Sequence, residues 1–189
     1  SIRETATIIL VLTDPAAMGL YFMGAVVLLE KSQRIHHSLA VSPLKNGEYI
    51  GAKIIAFVLL GVVVGVILFL YSGAKNFPLI LSGIILASTL FSCLGLYFAS
   101  KAGTLNRFVI ATIPVEIVVF VPAILYLFDV IHSDWWILNP GVAAVKLISG
   151  DSSFWVFSML SLIVWTSVTF YFCQKAVAQL FSEMKGGKI

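Results

Sequence analysis

Glu116 is the side chain in this chain whose setting points most directly to chemistry. It is an acidic residue deep in an apolar run of about 20 residues, Phe108 to Phe128. An ionisable group at membrane depth is costly and by default raises a functional hypothesis. Pro114 and Pro122 bracket it, and their missing N–H groups free backbone carbonyls in the same helix. This trio suits a substrate path or a kinked gate. The alternative is a protonated or hydrogen-bonded carboxyl inside a bundle, and both readings stand at this point. His36 and His37 are adjacent, so on a helix they diverge by about 100° and cannot share a metal. They read as solvated or partner-facing histidines. Cys93 and Cys173 lie in apolar runs far apart and read as buried, inert thiols without a disulfide framework or metal motif. No GxxxxGK[ST], HExxH, CxxC or GxSxG pattern occurs, so P-loop ATP hydrolysis, zinc proteolysis and elbow-type acyl transfer are not expected of this chain.

The elements that must carry these residues follow from composition. Of 189 residues, 60% are hydrophobic and 11% charged, against about 45–50% and about 25% in globular chains. With a mean hydropathy of +1.03, the chain reads as a single transmembrane domain over residues 1–189. A span needs about 20 apolar residues, and five candidates appear, at about 5–29, 49–71, 77–99, 108–128 and 154–180. The first is interrupted by Asp14-Pro15, which reads as an N-cap and first-turn proline, so the segment is kinked or built from two pieces. Gly61 and Gly65 give the second span a small-xxx-small face for close helix packing.

Loop charge sets the orientation. With the loop at about 31–47 inside, the inner regions hold Lys31, Arg34, Lys45, Lys53, Lys101, Arg107, Lys175, Lys185 and Lys188. The other side holds only Arg3, Lys75 and Lys146, beside five acidic residues. The fragment therefore starts outside and ends in the cytoplasm. It begins at Ser1 without methionine or a signal peptide, so a sixth, upstream span is expected. The net charge of +3 gives no reason to expect nucleic acid.

Two loops stand out. In the first, Ile35 and Leu39 share one helical face while Gln33 and His37 share another. Ser42-Pro43 breaks the helix, and Asn46 is placed to cap the next one with Glu48 in its first turn. A short two-faced helix between spans reads as a docking element. In the second, at about 129–153, Trp135 and Trp136 suit the membrane interface. After Asn139-Pro140-Gly141 the run VAAVKLIS is apolar but too short to span, so it reads as a re-entrant or surface-lying helix, a possible exit gate or a simple anchor.

The segments LTDPAAMGLYFMGAVVLLEK and SLAVSPLKNGEYIGAK resemble the ABC-2 type permeases, the membrane subunits of ATP-binding-cassette exporters, with drug- and fluoroquinolone-export permeases the nearest flavour. The resemblance rests on Asp14-Pro15, Gly24, Glu30-Lys31, Leu39 to Leu44, Glu48-Tyr49 and Lys53, roughly the first third of the chain; the rest matches in topology alone. Family members usually have six spans preceded by an amphipathic surface helix, so an N-terminal part is expected to be missing. The resemblance implies a multi-pass subunit of a bacterial plasma membrane that dimerises with a second permease chain. It binds two separate ATPase subunits, which hold ATP and its Mg2+. Gln33, Arg34, Ile35, His36, His37, Ser38 and Leu39 would form the coupling helix. The expected activity is outward movement of a hydrophobic or amphipathic substrate (drug, peptide or lipid-like), with no catalysis, cofactor or metal in this chain. The other reading is an ion-coupled secondary transporter with Glu116 as its proton site. One carboxyl without an inverted repeat is a poor relay, and a membrane enzyme is disfavoured by the lack of clustered His, Asp or Glu within the spans.

The charge bias makes a direct prediction. In a cysteine-free background, a cysteine replacing Ser133 should react with an impermeant thiol reagent in intact cells, and one replacing Ser42 should not. The reverse pattern would invert the topology.

Overall fold

In lipid every backbone N–H and C=O must find a partner within the protein, so apolar runs of about 20 residues become helices. The computed structural model describes residues 2–33, 35, 45–72, 76–130, 133–150 and 152–185. Among these the chain is helical without a strand, and five helices are long and apolar enough to cross a membrane. The chain is thus an all-α polytopic bundle, as its hydropathy pattern predicts. Arg34, His36, His37, Ser38 and Leu39 lie outside the described residues. Ile35 is helical and 39% exposed, and Gln33 closes the preceding helix, its N–H donating to the Leu29 carbonyl at 2.9 Å.

The first span is one rod of three parts: α1 (Ile2–Ala16), a π-helical segment (Ala17–Phe22) and α2 (Met23–Ser32). The expectation that Asp14 caps a new helix is therefore corrected, since α1 runs through Asp14 and Pro15. Pro15 has no N–H to offer the Val11 carbonyl. The rod continues with a wider turn, in keeping with the proline kinks and π-bulges that interrupt long helices. Then come α3 (Asn46–Ser72), α4 (Phe77–Lys101), α5 (Leu105–Leu127), a 3-10 turn (Asp134–Leu138), α6 (Pro140–Ile148) and α7 (Trp155–Lys185). The cap of α3 sits one residue earlier than the sequence reading put it. Lys45 is the residue before the helix, and its N–H donates to the Glu48 carboxylate at 2.9 Å. Glu48 in the first turn thus satisfies the cap's own backbone, which is half of a capping box.

Helix α4 is the axis of the bundle. The first span, α3, α6 and α7 all pack on it, and it is the most buried of the five spans. One half of the core gathers Leu20, Ile84, Leu90, Phe91, Leu147 and Leu162 around it. The other half gathers Met23, Val27, Ile50, Leu96, Phe108 and Val177, together with Cys93 and Cys173, both buried and free. Lipid tails are as apolar as leucine, so association of helices in a membrane relies on close packing, which small residues permit. Gly61 and Gly65 lie on the face of α3 against α4: a Cβ at Gly61 would stand 2.6 Å from the Ser88 hydroxyl, and one at Gly65 would run into Ile84. At Gly95 the obstruction is backbone: a Cβ would stand 2.5 Å from the Leu20 carbonyl oxygen and 2.6 Å from that of Gly19. The π segment therefore lies backbone-on-backbone against α4.

Helix α6 is the short apolar run in the loop before the last span. All nine of its residues are buried, packed among α4, α5 and α7. The run is therefore an interior element of the bundle, packed on more than one side.

Replacing Gly95 with leucine should cost more than the roughly 1–3 kcal/mol of ordinary overpacking, because the obstructing atoms are backbone. Gly103→Ala, where a Cβ meets nothing within 4 Å, is the matched control. Thermal unfolding in detergent should show a large loss for Gly95→Leu and near-native behaviour for the control; equal stabilities would refute the close approach.

Candidate functional site

The π segment and α5 together build the setting of Glu116. Widening the helix over Ala17–Phe22 turns Tyr21 toward α5, where its hydroxyl lies 2.6 Å from both oxygens of the half-buried Glu116 carboxyl. The tyrosine ring is also held edge-on to Phe108, with centroids 6.5 Å apart. Phe108 in turn occupies the space left by Gly24, where any Cβ would overlap its ring. Glu116 is thus partnered within the bundle by a residue 95 positions away.

Pro114 and Pro122 do different work from Glu116 and from each other. Pro114 is two residues from Glu116, on the opposite side of the helix. It lines an apolar crevice of about 330 Å3 between α5 and α7, floored by Leu90 and Leu94 of α4 and closed at one end by Asn139 and Pro140. Pro122 removes the N–H that the Val118 carbonyl would accept four residues earlier. The Asn139 side-chain amide replaces it, donating to Val118 O at 2.7 Å. The same side chain caps α6, its oxygen accepting from the N–H groups of Gly141 at 2.9 Å and Val142 at 3.3 Å. Pro140 opens α6, and Gly141 touches the α5 backbone at Val119, where no Cβ fits. Asn139-Pro140-Gly141, which the sequence reading used only to mark where the apolar run begins, is therefore the joint that fastens α6 to the proline-broken helix α5.

The polar atoms around the crevice are engaged. The Trp165 indole N–H donates to the Leu138 carbonyl at 2.8 Å, and Thr169 bonds back to Trp165 O at 2.9 Å. What remains exposed in the crevice is apolar, so it suits the apolar body of a ligand more than a charge.

Lys146, counted above only as one of three basic residues on its side, is 3% exposed. Its ammonium lies 5.4 Å from the ring centre of Tyr126 and 5.2 Å from that of Phe154, within cation–π range. Phe154 has φ 55°, a left-handed conformation that strains a bulky residue. Lys146 thus ties the end of α5 to the start of α7 across α6. A lysine inside VAAVKLIS carried the same signal as Glu116, an ionisable group in an apolar run.

At the other end of the bundle, the residues that carry the family resemblance come together. Glu30 accepts from Lys53 at 2.6 Å and from the Tyr49 hydroxyl at 2.8 Å. Lys31 donates to the carbonyls of Ser100, Ala99 and Ala102 at 2.7, 2.9 and 3.0 Å, at the C-terminus of α4. A cation there satisfies orphan carbonyls and meets the negative end of the helix dipole. From sequence Lys31 served as a topological charge and as part of the Glu30-Lys31 pair, and neither reading gave it this partner.

Comparison with known proteins finds a similarity of the same kind. Two proteins named fluoroquinolones export permease, from the CDC 1551 / Oshkosh and ATCC 25618 / H37Rv strains of Mycobacterium tuberculosis, are each 28% identical to the chain over 131 residues, covering 67% of it and 54% of their own length. The chain is similar to these export permeases over two thirds of its length. It spans about half the length of the curated relatives it matches. No protein-family model and no solved structure matches it. The similarity bears out the resemblance to drug- and fluoroquinolone-export permeases read from the sequence.

The Asn139 joint is open to a double-mutant cycle. Asn139→Ala removes a cap, typically about 1 kcal/mol, and leaves the Val118 carbonyl without its donor, about 1–3 kcal/mol more where lipid offers no replacement. Pro122→Ala restores the helical N–H to that carbonyl. Asn139→Ala should therefore cost less in the Pro122→Ala background, with a coupling above about 0.5 kcal/mol in unfolding measurements. Strict additivity would show that Asn139 does not serve the carbonyl freed by Pro122.

Proposed function

We propose that the chain is the membrane-spanning part of an exporter permease of the ATP-binding-cassette type, moving hydrophobic or amphipathic molecules of the fluoroquinolone kind outward. The similarity to two named fluoroquinolones export permeases carries this reading. The crevice between α5 and α7 supports it, since its exposed lining is apolar and its polar atoms are hydrogen-bonded elsewhere.

The chain does no chemistry of its own on this reading. Separate ATPase subunits bind and hydrolyse ATP with Mg2+, docking on the segment Gln33 to Leu39 from the cytoplasm, and two permease chains pair in a plasma membrane. The basic bias of the loops supports a cytoplasmic position for that segment and the C-terminus. Glu116, held by Tyr21, then steadies α5 against the first span, and the proline-broken α5 is the wall of the crevice that moves.

Docking is tested at Leu39. Buried against a partner, Ile35 and Leu39 would each contribute roughly 1.5–3 kcal/mol. Leu39→Asp should lower ATPase co-purification or uncouple hydrolysis from transport, with the spans intact. Arg34→Glu should act in the same direction, more weakly and with salt dependence, as exposed ion pairs contribute about 0–1 kcal/mol. Wild-type co-purification and hydrolysis in Leu39→Asp would remove the docking reading. Proton-driven transport by the chain without any ATPase would favour the ion-coupled alternative.

A further inference from the structure

The residues beside the 33–45 segment are polar, yet they are turned inward onto the bundle. Glu30, in the last turns of α2, holds Lys53 and Tyr49 in the first turns of α3. Both ends of the segment are thereby gripped in one clamp. The clamp is itself anchored: the Lys53 ammonium lies 5.1 Å from the Tyr49 ring centre, and that ring meets Phe181 of α7 edge-on at 5.4 Å. One residue along, Lys31 reaches the C-terminus of α4 through three carbonyls. An ammonium has three N–H donors, so one side chain can bind the end of a helix as a unit.

We propose that Lys31, backed by the Glu30–Lys53–Tyr49 clamp, is the positioning residue through which movement of the docking segment reaches the crevice. The inference rests on the docking reading above and adds the mechanical route. Helix ends usually fray, and a push on a frayed α2 would be lost as local unwinding. Fixed by Lys31, the end of α2 moves with α4. Held by Tyr49 against Phe181, the start of α3 moves with α7. These two helices supply Leu90 and Leu94, and Trp165 and Thr169, to the crevice. The route therefore runs from the cytoplasmic segment to two walls of the cavity, leaving α5 and its prolines as the wall they move against.

The test uses the full permease with its ATPase subunits in lipid nanodiscs and a fluoroquinolone as the transported probe. Lys31→Met should co-purify the ATPase at the wild-type ratio, yet lose drug stimulation of hydrolysis by about fivefold or more, the range of typical coupling between sites. Lys31→Arg, which keeps the donors, should restore stimulation, and Glu30→Gln with Lys53→Met should repeat the defect. Full stimulation in Lys31→Met overturns the proposal. Joint loss of thermal stability and ATPase binding also overturns it, since Lys31 would then only staple the fold. Leu39→Asp run in parallel separates the two claims. If it leaves docking untouched, the docking reading fails and this inference falls with it. If it abolishes docking while Lys31→Met stays coupled, only the mechanical route fails.

Discussion

A carbonyl without a donor is costly where there is no water to replace it, and much of this structure is an answer to that constraint. At Pro15 the rod continues through a π segment. At Pro122 an asparagine from another element supplies the missing donor. At the end of α4 a lysine from the first span binds three carbonyls. Each answer also fastens two elements together, so satisfying the backbone and assembling the bundle are one process. The π segment lies on α4 at Gly95, Asn139 ties α6 to α5, and Lys31 ties α2 to α4.

This economy explains how few polar side chains suffice. Tyr21 and Glu116 join the first span to α5, Lys146 joins the ends of α5 and α7 through their rings, and Glu30 joins α2 to α3. Little else is needed between α4 and its neighbours, because small residues let the helices approach until packing holds them. Helix α5 is the exception. It packs chiefly on α6 and only lightly on α4, with a crevice between it and α7. The helix that carries both inner prolines is thus the one with the fewest neighbours on the bundle's axis.

The spans were legible because hydrophobic length is a local property. The expected second, third and fourth spans lie within a few residues of α3, α4 and α5. The misreadings are also local in origin. Asp14-Pro15 looked like a cap because the pair has cap chemistry, but the apolar residues around it hold the rod together and the backbone adjusts by one wider turn. Asn46 looked like the cap of α3, yet Glu48 reaches back to the N–H of Lys45. Charge was legible as topology and not as structure, so Lys31 and Lys146 were counted for their side of the membrane while each is bound up in the bundle.

By itself the sequence determined an all-α membrane bundle, its spans, the polar segment between the first two, and the likeness to export permeases. All of these follow from runs of neighbouring residues. Only the tertiary structure decided that Tyr21 holds Glu116, that Asn139 serves the carbonyl freed by Pro122, and that Lys31 binds the end of α4. Those partners are 95, 21 and 68 or more residues apart, and a pairing of that kind has no local signature. It exists because the helices pack at a spacing set by Gly95, Gly141 and Gly24, which brings a donor from one element to the acceptor that another cannot satisfy alone.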